Sequence, residues 1–297
     1  MNLTHKPVLL NEVIEWMSLK PGACIVDGTV GGGGHAEAFL QRLGSEGKYV
    51  AIDRDQQTLD RARQRLEKYR DQVFFVHGVF SDIPEILRTL KIEKVHGVLV
   101  DLGVSSFQLD EAERGFSFLK EGPLDMRMDP SDDSFEKASD IVNERSEEDL
   151  IEIFQKFGEE RFSRRIARAI VDFRREQPFY YTQDLASLID RVVPPKFKKQ
   201  ASRIHPATRV FQALRIEVNQ ELEHLKRFLD LDFQFLEKGG RLQVISFHSL
   251  EDRIVKWRLR EREDFQVLTK KPVIPTEIEM EENPRSRSAK LRVAEKK

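Results

Sequence analysis

The stretch Ile25-Val26-Asp27-Gly28-Thr29-Val30-Gly31-Gly32-Gly33-Gly34-His35 constrains this chain more than any other. A β-branched run ends in a carboxylate, and four consecutive glycines lead into the helical spacing of Ala36, Phe39, Leu40 and Leu43. Lacking a Cβ, glycine takes φ > 0 and lets a ligand lie against backbone N–H groups. Strand, glycine loop and helix in that order open a nucleotide-binding α/β sheet.

The rest of the chain supplies such a sheet. Leu9, Leu10, Val13, Ile14, Trp16 and Met17 recur at helical spacing before Pro21-Gly22 ends the run. Strands are expected at Lys48–Asp53, Val73–Val76 and Val95–Asp101, with a helix capped by Asp55 after the first of these. The unbroken Val98-Leu99-Val100 run suits a parallel strand buried on both faces. Successive βα units imply a doubly wound sheet with right-handed crossovers. From Phe107 to His205 no strand pattern occurs; helical runs around Leu150–Phe157, Phe162–Phe173 and Leu185–Val192 read as an inserted all-helical domain. A long helix from Pro206, spaced through Val210, Leu214, Val218, Leu222, Leu225 and Leu229, brings the chain back to a fifth strand at Arg241–Phe247. Phe265–Leu268 and Ala289–Ala294 would close the sheet with an antiparallel edge. The expected division is residues 1–106 with 206–297 for the sheet and 107–205 for the insertion.

With 297 residues, 39% hydrophobic and 34% charged, the chain can bury a sizeable core beneath a heavily charged surface. Its single cysteine, Cys24, lies in an apolar strand run; a buried hydrophobe is expected and an intrachain disulfide is excluded. There is no long apolar run for a membrane span and no unbroken apolar core of a signal peptide near the start, so a cytoplasmic location is expected.

Asp53 follows the glycine loop by about twenty residues, where a carboxylate accepts the ribose hydroxyls of NAD or of S-adenosylmethionine. Asp27 stands before the glycines, where a pyrophosphate would be repelled but an ammonium and a sulfonium would be attracted. Asp82 and Asp101 add negative charge at later strand ends. The alternative is that these carboxylates cap helices or brace loops. His35-Ala36 after the glycines, in place of Lys and Ser or Thr, argues against a P-loop.

Several motifs resemble the ribosomal RNA small subunit methyltransferase H family. They are His5-x-Pro7-Val8-Leu9-Leu10, Asp27-Gly28-Thr29, Asp101-Leu102-Gly103-Val104-Ser105-Ser106, Glu113-Arg114-Gly115-Phe116 and Gly122-Pro123-Leu124-Asp125-Met126-Arg127. His205-Pro206-Ala207-Thr208-Arg209, Ser246-Phe247-His248-Ser249-Leu250-Glu251 and Asn283-Pro284-Arg285 extend the likeness toward the tail. The resemblance implies a class I S-adenosylmethionine-dependent methyltransferase, a Rossmann-like α/β fold with a helical insertion for RNA recognition. It implies methylation of the exocyclic N(4) amine of a cytidine in the decoding centre of 16S rRNA, within the small ribosomal subunit. By position it implies that Gly33, Gly34 and His35 line the methionine end of the cofactor. Asp53 would hold the ribose, Phe80 would pack by the adenine, and Asp101 and Gln108 would close the reactive end. No metal is implied. The residues do not fix the oligomeric state, for which a homodimer is considered, and they assign no catalytic base; His248 and Ser249 are candidates for base contact.

The case for RNA is local, because the whole chain carries a net charge of −2. From Lys156 to Arg215 there are 14 Lys or Arg against 6 Asp or Glu, an excess of +8. On a helical wheel Phe162, Ile166, Ala169, Ile170 and Phe173 share one side, while Arg161, Arg164, Arg165, Arg168 and Arg175 share the other; Lys196, Lys198, Lys199, Arg203 and Arg209 follow. Such residues contact phosphates without reading sequence. A solvated charged face is the plainer alternative.

Overall fold

The computed structural model describes residues 6–194 and 205–297. Seven strands, β1 (Cys24–Asp27), β2 (Lys48–Asp53), β3 (Val73–His77), β4 (Val95–Asp101), β5 (Leu236–Ser246), β6 (Phe265–Val267) and β7 (Lys290–Lys296), form one sheet in the order β3-β2-β1-β4-β5-β7-β6. The first five are parallel, and β7 runs antiparallel to both its neighbours. The reversed strand is therefore the penultimate one, and the edge strand β6 points the same way as the body of the sheet. The expected antiparallel finish is present: β7 returns between β5 and β6 and pairs antiparallel with both.

The apolar runs are continuous because both faces are covered. Ile25, Tyr49, Ala51, Leu99 and Ile245 face a core with Leu9, Val13, Phe39 and Leu43. Val26, Val50, Ile52, Val98, Val100 and Val244 face another with Ile83, Leu225, Phe228 and Val255. Cys24 is buried, and burial pushes its thiol up to about 11.

Strand β5 begins earlier than expected. Leu236 pairs with Val95 and Arg241 with Gly97, so residues 237–240 form an irregularity that the Gly239-Gly240 pair disguises as a turn.

The chain forms two compact units, one running up to Ser105 and resuming at Leu222–Lys297, the other Ser106–Glu221. Apart from the isolated Pro123–Tyr181 bridge, the described residues of the second unit contain no strand. Its helices bury Leu150, Phe154, Ile166, Ile170, Leu185, Ile189, Val210 and Leu214. The run expected as one helix from Pro206 is two, Ala207–Asn219 and Glu221–Leu229, and the boundary between the units falls at this break. Gln220 adopts φ 50°, a left-handed conformation that terminates the first helix. Asn219 anchors the break: its Nδ2 donates to the carbonyls of Met126 and Arg215, both at 2.8 Å, and its Oδ1 accepts from the Met128 N–H at 2.7 Å.

Candidate functional site

The rim above the carboxyl ends of β1, β2 and β4 gathers six of the seven expected cofactor residues in the sheet unit. Gly28 N–H donates to the Leu99 carbonyl and Val30 N–H to the Ile52 carbonyl, both at 2.8 Å, which seats the loop over the strand ends. Gly33 caps helix Gly34–Leu43 with φ 77°, a conformation that a Cβ would strain. The first N–H groups of that helix have no acceptor within it and present a partial positive charge toward the rim. Gly34 packs on Pro7, and the buried His35 ring is held through Nε2 to the Val8 carbonyl at 2.9 Å.

Asp53 ends β2. Its Oδ2 accepts the Gly31 N–H and its Oδ1 the Asp55 N–H, both at 2.9 Å. Burial pushes its carboxyl up to about 6, against the pull of those two N–H groups. Phe80 stands edge-on to Phe228 at 5.5 Å between ring centroids, and a Cβ at Gly28 would come within 2.6 Å of the Phe80 Cβ, which leaves no room for a side chain there.

Asp101 ends β4. Its backbone N–H donates to Thr29 Oγ1 at 2.6 Å, tying the β4 end to the glycine loop. Its Oδ2 lies 3.9 Å from His35 Nδ1, and its buried Oδ1 has no hydrogen-bond partner. Burial, with the negative charges of Asp27 and Glu251, raises this carboxyl well above the usual range. Gln108, the seventh expected residue, is buried on helix Ser106–Asp110 of the second unit.

Among the carboxylates, Asp27 is taken up by the scaffold. Asp27 braces the loop: its Oδ1 accepts the Thr29 N–H at 3.1 Å and its Oδ2 the Tyr49 hydroxyl at 2.8 Å. Burial raises Asp27 from 3.8 to about 7. A pKa raised by folding favours the folded state at low pH, and that contribution is lost as pH rises through 7. Asp27→Asn keeps the shape and removes the titration. Relative to wild type it should gain about 2–3 kcal/mol between pH 5 and pH 8, measured by urea unfolding across that range. A pH-independent difference would place the unfavourable charge elsewhere.

One nitrogen of His248 is committed to structure. Its Nδ1 accepts the Glu251 N–H at 3.4 Å, capping helix Ser249–Glu261, while its buried Nε2, 3.0 Å from Glu251 Oε1, makes no hydrogen bond. Glu251 in turn accepts from the Phe247 N–H at 2.7 Å. Sequence reasoning passed over Glu251 and Tyr49. The spacing His248-x-x-Glu251 was the available signal for a capping box. Nothing in the strand of Tyr49 marks it as a donor to Asp27.

An orphaned carboxylate oxygen, a helix N-terminus and a second carboxylate on one rim fit a ligand that carries a cation, an anion and a diol. S-adenosylmethionine has all three.

A model of the MraW methylase family matches residues 2–297. The chain belongs to that family. This MraW-family chain is 46% identical over 312 residues to the Ribosomal RNA small subunit methyltransferase H of Syntrophobacter fumaroxidans, covering 99% of this chain and 97% of the relative. It is 50% identical over 292 residues to the protein of the same name from Cyanothece sp., covering 98% and 94%. The solved structure of TrmN from Thermus thermophilus aligns with 97% of this chain and 48% of its own at 13% identity and a TM-score of 0.46. Among the described residues of the MraW-family chain, no group of three or more His, Cys, Asp or Glu is placed to hold a metal ion. No described helix is long and apolar enough to cross a membrane.

Proposed function

We propose that this chain transfers a methyl group from S-adenosylmethionine to small-subunit ribosomal RNA, at the exocyclic N(4) amine of a cytidine in the decoding centre. The observation that carries the cofactor assignment is the unpartnered Asp101 Oδ1, placed on the same rim as the positive end of helix Gly34–Leu43. The full-length relatives named for small-subunit rRNA methylation support the substrate.

When bound, the cofactor supplies the methyl group and a good sulfur leaving group. The chain's part is binding and orientation. Backbone N–H groups of Gly34 and His35 hold the carboxylate of the methionine end, and Gly33 keeps their approach open. Asp53 accepts the ribose hydroxyls through the lone pairs that Gly31 and Asp55 leave available. Phe80 packs by the adenine, Asp101 faces the positive charge, and Gln108 is a further cofactor contact. The cytosine amine is a poor nucleophile because its lone pair is conjugated with the ring. Holding it in line with the methyl group supplies much of the acceleration, and the base must first leave its stack.

RNA recognition falls to the helical unit. Ile166, Ala167 and Ile170 are buried on helix Ser163–Arg174 and Ala169 is half-buried, while Arg164, Arg165 and Arg168 are exposed. Lys196, Lys198, Lys199 and Arg203 lie outside the described residues. Acidic residues before this helix make local pairs. The buried Arg127 pairs with Asp125 and Asp133, and Asp149 closes a capping box with Ser146. Replacing Arg164 and Arg165 together with Ala should raise KM for RNA about tenfold and flatten its salt dependence, with cofactor affinity unchanged. Filter binding across a salt series checks this, and equal losses for RNA and cofactor would sink the division of labour.

We also propose a cytoplasmic location and action on RNA held in the small subunit. The deciding experiment incubates small subunits lacking the modification with methyl-labelled cofactor and digests the RNA to nucleosides. Label in N(4)-methylated cytidine is expected. Unlabelled RNA, or tight NAD binding without a response to S-adenosylmethionine, would overturn the reading.

A further inference from the structure

A pocket of about 300 Å³ opens at the carboxyl end of β5, wholly within the sheet unit. Phe247, Ile274 and Met280 form apolar walls, with Arg287, Ser288 and Lys290 alongside them. Its size falls at the lower end of small-molecule sites, about 300–1,000 Å³. His248 and Ser249, named above as candidates for base contact, also line it, and none of the cofactor roles uses it.

Its position ties it to the reactive rim. Asp101 pairs in register with Ile245, and the Leu102 N–H donates to the Ile245 carbonyl at 3.0 Å. The Phe247 ring lies beside the loop that follows Asp101: a Cβ at Gly103 would sit 3.7 Å from Phe247 Cδ2. The glycine loop, Asp53 and Phe80 take up the β1–β3 side of the rim. An acceptor must come within about 3–3.5 Å of the methyl group, which leaves it the β5 side, where this pocket opens.

The lining chemistry suits one nucleotide. Phe247 offers an aromatic wall on which any base can stack. Ile274 remains 61% exposed, an apolar wall that nothing else in the described chain covers. Arg287 is exposed and has no carboxylate partner among the described residues, whereas Lys290 already shares Asp252 with Arg292. An unpaired guanidinium beside an aromatic wall matches a phosphate attached to a base. The His248 ring, bound up with Glu251, is not needed for this.

We propose that this pocket receives the unstacked pyrimidine nucleotide whose amine is methylated, its base against Phe247 and its phosphate at Arg287. The proposal rests on the methyltransferase reading above.

Two exposed positions test it without touching the cofactor rim. Ser288→Trp should fill the pocket and lower kcat/KM for RNA at least 100-fold, and Arg287→Ala should raise KM for RNA about tenfold. Both should bind S-adenosylmethionine with wild-type affinity, which shows that the fold is intact. RNA carrying 5-iodocytidine at the target position should photo-crosslink to the peptides containing Phe247 or Met280. Wild-type turnover in both variants, or crosslinks confined to other peptides, would overturn the pocket while leaving the methyltransferase reading standing. Cytidine 5′-monophosphate, titrated into wild type and Ser288→Trp and followed by NMR, tests the pocket independently of turnover. Binding lost in the variant supports it; equal binding, or none to the wild type, overturns it. A wild-type enzyme that binds the nucleotide but never labels RNA would instead overturn the methyltransferase reading.

Discussion

Asp53→Ala is expected to weaken S-adenosylmethionine binding about 100-fold, close to 2.7 kcal/mol at ~1.4 kcal/mol per decade. Two effects combine. The variant loses a charged acceptor for two ribose hydroxyls, each such bond contributing about 1.5 kcal/mol or more. It also frees the Gly31 and Asp55 N–H groups, which Asp53 now holds at 2.9 Å, so the glycine loop loses its anchor on β2. Because burial places the Asp53 carboxyl at about 6, wild-type affinity should fall as pH drops from 7.5 to 5.5. Binding at pH 5.5 should take place with proton release. In the variant that pH dependence should be reduced to what other groups supply. Titration calorimetry in two buffers of different ionisation enthalpy measures affinity and proton release together. Wild-type affinity in the variant would move the ribose away from β2.

What could be read from the chain alone follows from which forces are local. The continuous apolar run Val98-Leu99-Val100 discloses a strand covered on both faces, and β4 is buried along it, whereas the edge strand β3 is buried only at Val73. The Asp55 cap was equally legible, since its side chain accepts from the Gln57 and Thr58 N–H groups within its own helix. Periodicity could not show the break at Gln220. The apolar spacing from Val210 to Leu229 runs straight through it, and the anchoring bonds of Asn219 reach Met126 and Met128, some ninety residues earlier. The pairing of Asp27 with Tyr49 was hidden for the same reason, because it needs β1 and β2 in register. Negative charge before the glycines pointed to a cationic ligand, but the structure assigns Asp27 to bracing the loop. The carboxylate oxygen left without a partner belongs to Asp101.

That oxygen makes Asp101→Asn the sharper test. A buried acceptor without a partner costs about 1–3 kcal/mol, and an ion in such a place costs more unless a cation joins it. Asp101 sits there with its carboxyl raised by burial and by Asp27 and Glu251. Its folding contribution is therefore lost as pH rises above the ordinary carboxyl range. The neutral Asn variant should be more stable than wild type at pH 8, by about 1–3 kcal/mol, with the gain fading toward pH 4. His35 Nε2 lies 2.9 Å from the Val8 carbonyl and its Nδ1 3.9 Å from Asp101 Oδ2, so the ring stands beside the substituted side chain. Function should move the other way. If Asp101 faces the sulfonium, the variant should bind S-adenosylmethionine about 30–100-fold more weakly. S-adenosylhomocysteine, whose sulfur is neutral, should lose less than about fivefold. Asp53→Ala, acting on the ribose, should weaken both ligands equally. Thermal unfolding at pH 4 and pH 8, with paired titrations of the two ligands, separates these outcomes. A variant that loses both ligands in equal measure would place Asp101 away from the sulfonium. A variant no more stable than wild type at pH 8 would mean that the lone oxygen is already compensated before any ligand arrives.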